Sequence, residues 1–149
     1  MMNAKQVADR GTTSARSGLT PGDPVQLLVS VPTVSAASHS PVAELARQLG
    51  DERVGAVLVM DGDVLAGLIS ERDLIRVLAA DEDARDVWIA DVMTIDPVQI
   101  EGITPIGTAA LSMLDNGVRH LAVTSEGRVI GIVSMRDVLG VLTDHWLRS

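Results

Sequence analysis

The chain has 149 residues, a formal charge of −8 at pH 7, 46% apolar residues, no Cys, Phe or Tyr, and only two Trp. Its acidity, with Lys5 the lone lysine, excludes a nucleic-acid interface, which depends on clustered cations to neutralise phosphates. The lack of Cys excludes disulfides, thiol nucleophiles and thiolate metal sites.

No apolar run approaches the roughly 20 residues that span a bilayer, and the first residues lack the apolar stretch of a secretory signal. A soluble, cytoplasmic protein is expected, with a core built from Val, Leu, Ile, Ala and Met.

In chain order, residues 1–23 are polar and Gly-rich and are expected to form a flexible tail that adds nothing to a core. Residues 24–80 form a first unit, 81–88 a connector and 89–149 a second unit. The first unit opens with an apolar leading segment, 25–34, read as a strand, whose counterpart is 89–98. Ser40-Pro41 and Thr104-Pro105 each resemble a helix start, a hydroxyl cap followed by Pro at the first helical position. After the first helix, 54–59 and 64–69 read as strands joined at Asp61-Gly62, a hairpin signal. The second unit offers 118–123, a turn at 125–127, and 129–133. Helices over 71–79 and 135–142 close the two units, and the acidic stretch 80–86 between them is expected to be exposed.

Residues 40–78 and 104–142 align without a gap at an offset of 64 residues, the mark of a duplicated supersecondary unit. Both copies end alike, in Gly67-Leu68-Ile69-Ser70-Glu71-Arg72-Asp73 and Gly131-Ile132-Val133-Ser134-Met135-Arg136-Asp137. Ser70 and Ser134 fall where a strand hands over to a helix, so unpaired N–H groups and the positive end of the helix dipole lie there. Such a place suits an anion. Asp73 and Asp137 sit on the same rim, where a carboxylate can accept two hydrogen bonds from the diol of a ribose. The same spacing also makes a capping box, which needs no ligand. Residue types alone leave both readings open.

The paired Gly-h-h-Ser-x-x-Asp segments (h, apolar), Asp91-Val92-Met93-Thr94 and Val118-Arg119-His120-Leu121-Ala122-Val123 together resemble the cystathionine-β-synthase (CBS) domain pair, or Bateman module, of the stand-alone tandem type. The resemblance covers about residues 24–142 and departs at Ala122, where the family commonly has Pro. It implies an α/β (α+β) fold of two repeats, each strand-helix-strand-strand-helix, packed with pseudo-two-fold symmetry. It also implies a regulatory module that binds adenosine-type ligands: AMP, ADP or ATP, with NAD or S-adenosylmethionine as further possibilities and no required cofactor. Each cleft would take its Ser-x-x-Asp from one copy and its walls from the other. One site would hold Ser70, Arg72 and Asp73 with Val98, Arg119 and His120; the other, Ser134, Arg136 and Asp137 with Val34, Gly55 and Ala56.

The two clefts would differ, since Arg119 and His120 stand in one where Gly55 and Ala56 stand in the other. Arg binds phosphate through paired donors, so the first cleft is expected to favour the more highly phosphorylated nucleotides. The resemblance further implies a homodimer acting on another protein, without catalysis. The competing readings are a structural dimerisation module with degenerate clefts and, further off, a small Ser-His-Asp hydrolase that lacks the Gly-x-Ser-x-Gly elbow. His39, His120 and His145 stand singly, with no metal-site spacing.

Overall fold

The computed structural model describes residues 17–29, 35–52 and 55–149. A short 3-10 turn (Val25–Leu28) precedes β1 (Ser35–Ala36), α1 (Val42–Glu52), β2 (Ala56–Asp61), β3 (Val64–Ser70) and α2 (Glu71–Ala79). Then come α3 (Ile89–Val92), β4 (Thr94–Ile95), β5 (Gln99–Glu101), α4 (Ile106–Asn116), β6 (His120–Ser125), β7 (Arg128–Ser134) and α5 (Met135–Arg148). The fold is mixed α and β, with the duplicated order expected from the repeat.

Each hairpin follows from its turn. Gly62 takes a left-handed φ of 64°, and in the second copy Glu126 and Gly127 both do, at 52° and 77°. Two positive φ values in a two-residue loop match the right-handed twist of the flanking strands. The register pairs Ala56 with Ser70 and His120 with Ser134, so each copy's second strand starts beside the serine that opens its closing helix. The second-copy strand begins two residues later than the expected 118. Gly117, at φ 63°, closes α4, and Val118 N–H bonds back to Met113 O at 2.9 Å, so Val118 belongs to the helix exit.

The strands form two sheets, β1-β2-β3-β4 and β5-β6-β7, with β1 parallel to β2 and β5 parallel to β6. β4 crosses from the second copy to pair antiparallel with β3. The crossing needs Gly67, because a Cβ there would lie 2.5 Å from Thr94 O and 2.8 Å from Met93 Sδ.

The leading segments depart from the expected strands. Residues 25–28 and 89–92 are short helical turns, and 30–34 lie outside the described residues. Helical spacing explains the first: Val25 and Leu28, three apart, are both buried, which an alternating strand does not permit.

These two segments also exchange partners. Val25 and Leu28 pack with Ile106, Met113, Leu121 and Val138 of the second copy, whereas Val87 and Ile89 pack with Val42, Leu45, Val57 and Ile69 of the first. Carbonyls of the exchanged segments then satisfy the first amides of the helices they cover. Val42 N–H bonds to Val87 O (2.9 Å) and Ala43 N–H to Ala84 O (3.0 Å); Ile106 N–H bonds to Asp23 O and Gly107 N–H to Pro21 O, both at 2.9 Å. At α4 the cap position is Pro105, not the first helical residue, and no side chain caps the helix. The expected Thr104 hydroxyl cap is thus replaced by long-range carbonyls.

One further expectation changes with this exchange and one holds. The expected tail through Asp23 is too long, for Leu19 packs against the second core and Pro21 and Asp23 accept from α4. The acidic stretch 80–86 is largely exposed, as expected, and within the connector only Val87 is buried.

A third cluster joins the sheets face to face: Ala56, Leu58, Leu68 and Ala122, with Met60, Leu65, Val129 and Ile132 around them. It fixes the two copies against each other and positions their helix starts.

Candidate functional site

The two Ser-x-x-Asp helix starts are built alike. Asp73 Oδ2 accepts from Ser70 N–H (2.8 Å) and from its hydroxyl (3.0 Å); Asp137 Oδ2 accepts from Ser134 N–H (3.4 Å) and its hydroxyl (2.9 Å). In the second copy Ser134 Oγ also accepts from Asp137 N–H at 3.1 Å. The first amide of each helix is tied to the residue that leads the second strand: Glu71 N–H to Gly55 O at 3.0 Å and Met135 N–H to Arg119 O at 2.7 Å. The capping role is therefore a structural fact, and it occupies one carboxylate oxygen of each aspartate.

The other oxygen of Asp73 takes no part in that cap. Asp73 is only 8% exposed, and its Oδ1 lies 3.8 Å from Arg76 Nη1. Around it Asp73, Arg76, Val77, Glu82 and Val92 line a cavity of about 210 Å³. Ligand pockets usually run from about 300 Å³ upward, so this space suits a sugar-sized part of a ligand. Val92 is the one lining residue that sequence assigns to the second repeat, and its segment packs on the first repeat's core. Sequence reasoning named Val98 from the second copy and missed Arg76, Glu82 and Val92. A one-turn step from Asp73 to Arg76 was available as a signal; Val92 depends on the exchange and had none.

Val98 lies elsewhere. It packs on the second core, and its carbonyl accepts from Ala122 N–H at 3.0 Å. Ala56 is buried between the sheets, so its methyl group is unavailable to a ligand. Val34 lies outside the described residues. Arg72, Arg119 and Arg136 are exposed, each within two residues of Ser70 or at the residue that caps Met135 or at the start of α5.

His120 is where the copies meet. Its Nε2 lies 3.5 Å from where a Cβ on Gly55 would be, so the ring of one copy occupies the room left by the missing side chain of the other. Burial pushes the imidazole below its ordinary value of 6.5 and Arg119 acts the same way, against the opposite pull of Asp137 and Glu71. A depressed folded pKa means that the unfolded state takes up the proton first, so this group's stabilising contribution is complete above about pH 6.5 and lost as pH falls through the folded value. Stability measured by urea unfolding is expected to drop below pH 6.5, and His120→Gln is expected to flatten that part of the profile. An unchanged slope in the variant would remove His120 as its source.

A Ser, a His and an Asp do come together, but not as a triad. Ser38, 3% exposed, donates to Asp61 Oδ1 and Oδ2 at 2.9 and 2.7 Å and lies 2.8 Å from His39 Nδ1. A triad needs His between Ser and Asp; here Ser is in the middle and buried. The cluster staples the Asp61-Gly62 turn to the segment ahead of α1, and the Ser38 hydrogen bonds hold the Asp61 carboxyl below its ordinary range.

A sequence model of the CBS domain matches residues 26–80 and again 89–144. The chain belongs to the CBS-domain family. Its two CBS repeats are 36% identical over 120 residues to the meiotically up-regulated gene 70 protein of Schizosaccharomyces pombe, covering 72% of this chain but 16% of that one. They are 31% identical over 125 residues to an uncharacterised protein of Methanocaldococcus jannaschii, 83% of this chain and 44% of that one. The chain thus spans less than half of either relative. Among solved structures, a CBS domain protein of Pyrobaculum aerophilum complexed with AMP shares 25% identity at a TM-score of 0.71, over 79% of this chain and 97% of that one. No helix among the described residues is long and apolar enough to cross a membrane.

Proposed function

We propose that this CBS pair is a regulatory module that binds an adenosine-type nucleotide, AMP, ADP or ATP, between its repeats and signals through a ligand-dependent change of shape or stability to another protein. The observation that carries the reading is Asp73: a buried carboxylate with one oxygen used in the cap and the other 3.8 Å from Arg76 Nη1, lining a small cavity to which Val92 also contributes. The AMP complex of the Pyrobaculum aerophilum protein supports the choice of ligand class. NAD and S-adenosylmethionine remain within the same chemistry, since both carry the same adenosine ribose. Binding alters a partner only if the ligand prefers one of two states.

Arg119 and His120 at the head of β6, against Gly55 and Ala56 at the head of β2, make the clefts chemically unequal. The exposed Arg119 guanidinium suits the β- and γ-phosphates of a ligand whose ribose lies on an aspartate. Calorimetric titration of Arg119→Ala is expected to weaken ATP by about ten-fold or more, the value of one charged hydrogen bond, with AMP much less affected. Equal loss for both nucleotides would place Arg119 outside the polyphosphate.

The capping hydrogen bonds favour a second reading, a structural dimerisation module in which Ser70, Asp73, Ser134 and Asp137 only start helices. It predicts no response to any nucleotide.

A further inference from the structure

We infer that Glu82 sets the first cleft's choice among adenosine-type ligands: it admits a ribose whose 2′ and 3′ hydroxyls are both free and rejects one that carries a phosphate there. The inference rests on the nucleotide reading above and adds a selectivity to it.

The exit of α2 brings Glu82 to the cavity. Ala80 N–H bonds to Arg76 O at 3.0 Å, Asp81 N–H to Leu78 O at 3.1 Å and Glu82 N–H to Val77 O at 3.2 Å, with Asp81 in the left-handed region at φ 58°. Such a reversal usually ends a helix on Gly, and Asp tolerates it better than most other residues. The chain therefore folds back on the last turn of α2, and Glu82 lines the same cavity as Asp73, Arg76 and Val77.

The charges around that space decide what it takes. Asp73 and Glu82 bring two carboxylates, while Arg76 brings one guanidinium, which lies 3.8 Å from Asp73 Oδ1 and has a side chain 71% exposed. The lining is thus net negative at neutral pH, and a phosphate entering it meets two like charges. Ribose hydroxyls are donors and suit carboxylates. Dinucleotide folds follow the same logic: an acidic residue takes the free 2′ hydroxyl, whereas an arginine accommodates a 2′ phosphate. The 5′-phosphate of AMP leaves the sugar from C4′, away from the 2′ position, so AMP is compatible with this lining.

The second repeat is built differently. The positions 64 residues on from Asp73, Arg76, Val77 and Glu82 are Asp137, Gly140, Val141 and Trp146. Helix α2 stops at Ala79, whereas α5 runs on to Arg148, so Trp146 stays on its helix where Glu82 folds back. The selectivity therefore belongs to the first cleft, and it adds to the inequality that Arg119 and His120 introduce.

Calorimetric titration of Asp137→Asn, in which the second cleft loses its carboxylate, reads the first cleft. AMP is expected to bind, and adenosine 2′,5′-bisphosphate and 3′,5′-bisphosphate at least about ten-fold more weakly, with the gap widening as ionic strength falls from about 0.15 M to about 0.01 M. Adding Glu82→Gln, at an exposed position, is expected to shrink that gap at least about three-fold. AMP affinity then changes less than about two-fold, and urea unfolding without ligand is unchanged. Bisphosphates that bind as tightly as AMP, or a salt-independent gap that Glu82→Gln leaves untouched, overturn the role of Glu82 and leave the nucleotide reading standing. AMP binding that is kept in the wild type and lost in Asp137→Asn places the nucleotide in the second cleft and overturns the inference alone. A wild-type chain that binds no adenosine ligand overturns both.

Discussion

Ile89→Ala is expected to destabilise the protein by about 2–5 kcal/mol, the range for removing a large aliphatic side chain from a well-packed core. Ile89 is 1% exposed, and by sequence it opens the second repeat. Its neighbours are nevertheless Val42, Leu45, Val57 and Ile69, so the damage is expected in the first repeat. Hydrogen exchange should show lost protection in α1 and β2, with the amides of α4 and β6 nearly unaffected. Protection lost chiefly in α4 and β6 would mean that the leading segments do not exchange. A few kcal/mol is a large part of the 5–15 kcal/mol that holds a domain together, so urea unfolding will show the loss plainly.

That exchange also marks how far the fold could be read from residues. The hairpins were legible because Asp61-Gly62 and Gly127 demand their turns locally, and α2 was legible because Ser70 and Asp73 cap it three residues apart. The leading segments were not. Val25 and Leu28 look apolar whichever core they join, and local pattern carries no address. The Ser40-Pro41 and Thr104-Pro105 starts were found while their caps were misassigned, since the carbonyls of Val87 and Asp23 arrive from distant sequence. The candidate site divides in the same way. Its aspartates and serines were readable from the repeat, and the contact of His120 with Gly55 was consistent with walls drawn from the other copy. Val92 and Glu82, by contrast, enter only through tertiary placement, and Val98 turned out to serve the second core.

Asp73→Ala is expected to produce two separable losses. Without ligand, removal of the cap costs about 1 kcal/mol, because Ser70 N–H and its hydroxyl lose Oδ2. With AMP at about 100 times its dissociation constant, the wild-type chain gains roughly 2.7 kcal/mol, and the variant forgoes the part of this gain that depends on the ribose contact. Asp73→Asn sharpens the distinction: the amide oxygen keeps an acceptor for the cap, while the charge that strengthens hydrogen bonds from a diol is gone. A ribose role predicts near-wild-type stability of Asp73→Asn without AMP and a weak response to AMP. A purely capping role predicts that both variants respond to nucleotide as the wild type does.

The most direct measurement is urea unfolding of the wild-type chain and of Asp73→Asn, each with and without saturating AMP. Binding between the repeats predicts a rise of roughly 2.7 kcal/mol in the wild type and a much smaller one in Asp73→Asn. No rise in the wild type with AMP, nor with ADP, ATP, NAD or S-adenosylmethionine in its place, would contradict the account and leave the paired Ser-x-x-Asp segments as helix caps alone.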